Sequence, residues 1–315
     1  MIDTISIITQ DYEIATSNKL TSRIETLPTG ETHKKQFYNG EKFNLTIDSW
    51  GFRLHFSLPK LYGLKDNFYP LGANSFETAM NSLQRNLEDV GVIADLDTAK
   101  ISRLDIFRNV QTSETFSIYS DVLRTLELKR THRRDYVDGF LSANTLRELC
   151  FYNKVKELSE SLGSDYVRQV YNFSNENIVR GELRFLRHSE AKRNGFDYLN
   201  DIPNQWNLLK DTYLEYMSEV FKYDFNVEGE EMSDKFLDKV LLIKLGKEAF
   251  KYFAYKPLYS MSRQEIKEFL GLHYKKSQVY SILQEIDKRK QKYSEILTDV
   301  NYKNLYSELK EKFLN

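Results

Sequence analysis

The chain has 315 residues, 41% hydrophobic and 29% charged, with only 13 Gly and 5 Pro, a globular composition long enough for one large domain or two ordinary ones. Its 45 basic side chains are balanced by 46 acidic ones, so any nucleic-acid partner would have to be held by a local patch. The single cysteine, Cys150, excludes an internal disulfide framework and zinc sites built on paired cysteines. No segment approaches the ~20 apolar residues of a membrane span, so a soluble cytoplasmic protein with no membrane partner is expected.

In chain order, strand patterns fall at 3–9, 44–49, 51–58, 100–107, 148–153 and 178–186, where apolar and polar side chains alternate with the period of two that a pleated strand requires. A helix is expected from Ser75, a candidate N-cap, to about Val90, stopped near Gly91. A second covers 114–128, with Phe116, Ile118, Val122, Leu123 and Leu126 on one side. From about 203 strand signals vanish, and helices are expected at 204–222, 233–254, 262–270, 275–297 and 301–313. The pattern predicts an α+β fold, a largely antiparallel sheet with helices on one face, over 1–200, followed by an all-helical region over 201–315. Within that region Ser262–Leu272 and Lys275–Leu283, joined by a Gly-containing turn, have the spacing of a helix-turn-helix.

Three of the strands carry unusual polar sets. Arg103 and Asp105 oppose Leu104 and Ile106; Tyr152 and Lys154 oppose Leu149 and Phe151; Arg180, Glu182 and Arg184 oppose Val179, Leu183 and Phe185. In one sheet these would gather two carboxylates, a tyrosine, a lysine and three arginines on a single face. That is an expensive set to bury and a fitting one for metal-assisted chemistry on a phosphodiester. For any one of the strands alone an ordinary solvated face is the better explanation; the three together point to a functional face equally well. Two basic clusters flank them: Lys129, Arg130, His132, Arg133 and Arg134, and a second from Arg180 to Arg193.

The motifs Met1–Asp3, Leu58–Asn67, Ser102–Asp105, Tyr152–Leu158 and Val179–Arg184, in this order, resemble those of phage and plasmid replication initiators of the filamentous-phage gene II protein type. More distantly they resemble the rolling-circle initiators of staphylococcal plasmids. The resemblance covers residues 1–190. It implies a relaxase-like fold and a site-specific, metal-dependent DNA endonuclease and strand transferase. Such a protein nicks one strand at a replication origin, forms a 5′-phosphotyrosine link, leaves a 3′-OH primer for rolling-circle replication, and later rejoins the ends. Its partners would be origin DNA, single-stranded at the nick, and host helicase and polymerase; monomer and homodimer both stay open. The resemblance implies Tyr152 as nucleophile and Asp105 and Glu182 as ligands of Mg²⁺ or Mn²⁺.

The residue chemistry is compatible. A phenol with an ordinary pKa near 10 needs a neighbouring cation, here Lys154 on the expected strand face, or a metal. Arg103, Arg180 and Arg184, with Lys129, Arg130, Arg133 and Arg134, are the candidate DNA and phosphate contacts. A phosphotyrosine conserves the bond energy for rejoining, consistent with the lack of a P-loop motif. The paired histidines of many rolling-circle initiators are missing: His33, His55, His132, His188 and His273 are isolated. Tyr166 and Tyr171 are the tyrosines to consider if a second takes part. Two other readings stand beside this one: a non-catalytic sequence-specific DNA-binding protein, and an α+β protein whose polar face holds a small phosphorylated ligand.

Overall fold

A computed structural model describes residues 1–15, 19–26, 29–136, 138–171, 177–223, 225, 229–298 and 300–315. The first half contains β1 (Ile2–Thr9), β2 (Tyr12–Ile14), β3 (Thr21–Thr26), β4 (Thr32–Asn39), β5 (Phe43–Asp48), β6 (Gly51–Ser57), α1 (Leu58–Tyr62), α2 (Ala73–Val90), β7 (Val92–Ala94) and β8 (Lys100–Gln111). There follow α3 (Phe116–Leu123), β9 (His132–Tyr136), β10 (Gly139–Ala143), β11 (Arg147–Asn153), α4 (Lys154–Leu162), α5 (Ser164–Tyr171), β12 (Ile178–Phe185), α6 (His188–Arg193) and α7 (Trp206–Val220). The remainder is helical: α8 (Gly229–Leu245), α9 (Ala249–Tyr255), α10 (Arg263–Gly271), α11 (Lys276–Thr298) and α12 (Tyr302–Leu314).

Ten strands form one sheet in the order β3-β4-β5-β6-β1-β8-β12-β11-β10-β9, and every pairing in it is antiparallel. The mixed α+β class expected from the sequence is therefore the observed one. Its apolar face carries Ile5, Leu54, Phe56, Leu104, Ile106, Leu149, Phe151, Leu183 and Phe185, all with 1% exposure or less. Each such side chain contributes roughly 1.5–3 kcal/mol by leaving water. The Tyr213 hydroxyl of α7 donates to the Gly181 carbonyl at 3.1 Å, and the Tyr216 ring lies 5.7 Å from that of Phe185. Helix α7 thus belongs to the sheet.

The chain divides into two compact units: Met1–Phe116, Glu127–Val220 and Lys312–Asn315 in the first, Ser117–Leu126 and Phe221–Glu311 in the second. The boundary expected at 200/201 falls inside the first unit, because α7 packs on the sheet through Tyr213 and Tyr216. Helix α2 begins at Ala73 with Gly72 as its N-cap residue, three positions before the expected cap Ser75. It ends at Gly91, whose φ of 80° is a left-handed cap open to glycine.

The second unit has its own cores. One is aromatic, from Phe221, Tyr223, Phe236 and Tyr306. Another joins Ile266 and Leu270 of α10 to Val279, Leu283 and Ile286 of α11 across the four-residue turn 272–275. Among the described residues no helix is long and apolar enough to cross a membrane.

Candidate active site

Strands β8, β12 and β11 are neighbours, and their register sets the polar side chains in rows across one face. Asp105 lies opposite Arg184 and Asn109 opposite Arg180 on β8 and β12. Tyr152 lies opposite Arg180, Cys150 opposite Glu182 and Glu148 opposite Arg184 on β11 and β12. Directly opposed residues in a sheet project to the same side. Tyr152, Asp105, Glu182, Arg103, Arg180 and Arg184 therefore share a face, as the alternation predicts.

Arg180 is the centre of the arrangement and is fully buried. Its guanidinium donates to Asn109 Oδ1 at 2.8 Å, Asp3 Oδ2 at 3.3 Å, the Tyr152 hydroxyl at 3.4 Å and the Asn67 carbonyl, and it lies over the Phe107 ring at 3.8 Å. The Tyr152 hydroxyl donates to Glu182 Oε2 at 2.9 Å. Glu182 Oε1 accepts from Arg184 Nε at 2.8 Å, and Arg184 reaches Glu148 at 3.3 Å. Both oxygens of Asp105 accept from Arg103, at 2.9 and 2.8 Å.

The electrostatics follow from burial and these pairings. Burial, then the neighbouring Glu182, pushes the Tyr152 phenol well above its ordinary value. Burial also pushes Asp105 up, to about 7; the Arg103 hydrogen bonds oppose this and Glu182 reinforces it. Asp3 is raised by burial first and by Glu182 next. Glu182 moves the other way: Arg184, Arg180 and the Tyr152 hydrogen bond outweigh burial and hold it below the usual carboxylate range. The site keeps one firmly ionised carboxylate at the tyrosine hydroxyl and a second that takes a proton near neutrality.

Lys154 departs from expectation. Strand β11 ends at Asn153, whose side chain caps α4 by accepting the Lys156 N–H at 3.1 Å, so Lys154 opens a helix instead of continuing the strand face. Its buried ammonium donates to Asn67 Oδ1 at 2.5 Å and to Glu157. The cation that reaches the Tyr152 hydroxyl is Arg180.

Lys129, Arg130, Arg133 and Arg134 lie apart from this cluster, on the loop before β9 and on β9 itself. Arg133 pairs with Asp135 at 3.2 Å. His55 shares the polar face through Ser6, which lies opposite both His55 and Arg103, and its Nδ1 is 2.7 Å from Ser6 Oγ. Tyr171, on α5, donates to Asp66 and packs on Phe68, and Tyr166 takes the Lys65 ammonium over its ring at 5.1 Å.

Asp3, Asn67, Asn109 and Glu148 join the site without having been given a role from the sequence. Asn109 continues the parity of Arg103 and Asp105, and Glu148 that of Tyr152, so extending each alternation by four residues, two same-face positions, finds them. Asp3 and Asn67 lie off these strand alternations, and their only signal is membership of the ordered motifs Met1–Asp3 and Leu58–Asn67.

A pocket of about 350 Å³ opens beside Tyr152, lined also by Tyr136, Leu141, Cys150, Glu157 and Arg184. Among the described residues no group of three or more His, Cys, Asp or Glu side chains forms a ready cation cage. Mg²⁺ characteristically uses one or two carboxylates plus waters and substrate phosphates. Asp105 and Glu182, buried close enough for each to act on the other, fit that donor set. No family model matches the chain, and no curated protein matches it.

Proposed function

We propose that this chain is a replication initiator that nicks one DNA strand by attack of the Tyr152 hydroxyl, leaving a 5′-phosphotyrosine and a 3′-OH that primes rolling-circle synthesis, and later rejoins the strand. The observation that carries the reading is the convergence of the Tyr152 hydroxyl on Glu182 and Arg180 at the edge of an open pocket. The resemblance of the ordered motifs to phage and plasmid initiators agrees with it.

The reaction starts from a neutral phenol, because burial and Glu182 disfavour phenoxide. Glu182 Oε2 already accepts the hydroxyl hydrogen bond and is the group placed to receive the proton as the oxygen attacks phosphorus. Arg180 stabilises the charge that develops on the phenolic oxygen. Asp105 and Glu182 would hold Mg²⁺ or Mn²⁺, which supplies Lewis-acid polarisation of the phosphate and of the leaving 3′ oxygen. Arg103 and Arg184, paired here with Asp105 and Glu182, carry the planar guanidinium forks that would bind phosphate oxygens bidentately if those carboxylates held a cation instead.

The test is incubation with a supercoiled plasmid carrying the element's own replication region and Mg²⁺ or Mn²⁺, resolved on a denaturing gel with Tyr152→Phe alongside. A protein–DNA adduct in the wild type that vanishes in the variant is expected. An adduct that persists in Tyr152→Phe, or cleavage in no divalent metal, overturns the reading. A second reading, sequence-specific DNA binding without chemistry, is favoured by the α10–α11 pair, which exposes Lys275, Lys276, Ser277 and Gln278 where its second helix begins. It predicts salt-dependent binding indifferent to Tyr152→Phe.

A further inference from the structure

A second polar pocket of about 630 Å³ lies at the far end of the β9–β10–β11 strands, on the opposite side of the sheet from Tyr152. Four cations line it, Lys129, Arg130, Arg147 and Arg193, against two carboxylates, Glu215 and Glu219. Its floor is a built network. Arg147 donates to the Tyr216 hydroxyl at 3.1 Å and sits 3.8 Å from buried Glu190, which Tyr216 also donates to at 3.2 Å and Arg193 approaches to 3.3 Å. Two guanidinium groups thus share one buried carboxylate. Glu219 is held in turn by the Lys129 backbone N–H at 2.9 Å.

Above this floor the Lys129 and Arg130 side chains are exposed and make no ion pair or hydrogen bond among the described residues. Arg130 is the only non-glycine described residue with positive φ, 58°, a conformation that costs an ordinary side chain energy and here aims a cation outward. The charge continues along β9, an edge strand exposed throughout. Arg134 lies opposite Leu141, and Leu141 opposite Cys150; the last two line the Tyr152 pocket. Two inter-strand steps put Arg134 about 10 Å from Cys150 on the same face. Arg134 and Arg130 therefore stand on the two sides of the sheet edge.

We infer that Arg134, Arg130 and Lys129, with Arg147 at the pocket floor, form a second phosphate-binding site. It holds the sugar–phosphate backbone of the DNA strand as that strand leaves the Tyr152 pocket and turns round the β9 edge. This rests on the strand-transfer reading of Tyr152 and adds to it a path for the bound strand. Arginine and lysine in a groove at a sheet edge suit backbone phosphates irrespective of base.

The experiment compares two labelled single-stranded oligonucleotides by fluorescence anisotropy across a salt series. One is confined to the nick sequence; the other is extended by about ten nucleotides, within the span such grooves track. In the wild type the extended strand binds more tightly and with a steeper salt dependence. In Lys129→Ala/Arg130→Gly the difference between the two slopes shrinks by about 1.4, two phosphate contacts at roughly 0.7 each. Glycine is at home at a φ of 58°, so this variant removes charge while relieving the backbone, and tryptophan-fluorescence melting checks its fold. An unchanged difference in slope overturns the proposal while leaving the nicking reading to the Tyr152→Phe adduct assay. Release of the extended strand by millimolar pyrophosphate from the wild type and the double variant alike overturns it too. Absence of oligonucleotide binding by the wild type sinks both ideas together.

Discussion

Arg180→Met is the perturbation that tests the site's architecture most directly. Methionine keeps the length of the stem and removes a guanidinium that four partners share. What remains is a buried carboxylate, Asp3, whose hydrogen bond from Asn67 at 2.7 Å does not neutralise its charge. Breaking a buried pair by removing one partner costs about 3–5 kcal/mol, a large part of the 5–15 kcal/mol that holds a domain together. With a urea m-value of about 2–3 kcal/mol/M, the midpoint falls by roughly 1–2.5 M.

The assay is tryptophan fluorescence in urea. Both tryptophans, Trp50 and Trp206, belong to the first unit, and Trp206 packs on Phe76, so the signal reports the unit that contains the site. Removing both charges in Asp3→Asn/Arg180→Met leaves no orphaned ion, so the double variant is expected to be more stable than Arg180→Met alone. Burial and Glu182 already raise the Asp3 carboxyl, and losing Arg180 raises it further. A protonated Asp3 needs no counter-charge, so the deficit of Arg180→Met is larger at pH 8 than at pH 5. A midpoint shift corresponding to less than about 1 kcal/mol, or a double variant weaker than the single one, refutes the buried-pair account.

Asp105 gives a second pH signature. Its carboxyl, held up to about 7 in the fold, binds a proton that the unfolded chain releases near pH 4, so this contribution to stability is present in acid and lost as pH rises through 7. Asp105→Asn should flatten the decline in melting temperature between pH 5 and pH 8, and parallel pH profiles for the two proteins would count against it. Gly181→Ala places a methyl group 2.7 Å from Phe313 Cε1 and 2.9 Å from the Tyr213 hydroxyl oxygen, an overpacking worth about 1–3 kcal/mol in urea denaturation; unchanged stability would mean that this face is loosely packed. Burial pushes the Cys150 thiol up to about 12, so iodoacetamide at pH 8 should label it slowly in the folded protein and rapidly in urea. Equal labelling rates contradict its burial.

Each of the six strands recognisable in the sequence has a buried apolar side, and on β8, β11 and β12 the alternation of Leu104, Ile106, Leu149, Phe151, Leu183 and Phe185 with polar residues is direct physics. Strands β3 and β9 escape the same test. They are edges, exposed almost throughout, and Thr21–Thr26 and His132–Tyr136 have no apolar side to show. The basic run around Arg133 reads as charge in sequence and is half strand in space. Lys154 escapes for a local reason: the Asn153 cap ends the strand one residue earlier than the parity of Tyr152 implies.

By itself the amino-acid order determined the α+β class, the apolar and polar sides of β8, β11 and β12, and the helical character of the C-terminal region, because side-chain periodicity is a local property of the chain. The tertiary structure alone decided that these strands are neighbours with Tyr152 opposite Arg180, and that Asp3 and Asn67 reach the same guanidinium from 177 and 113 residues away. It also set which carboxylate stays ionised. Glu182 and Asp105 are the same kind of group in sequence; two arginines and a phenol beside the one, and burial near a like charge for the other, separate them.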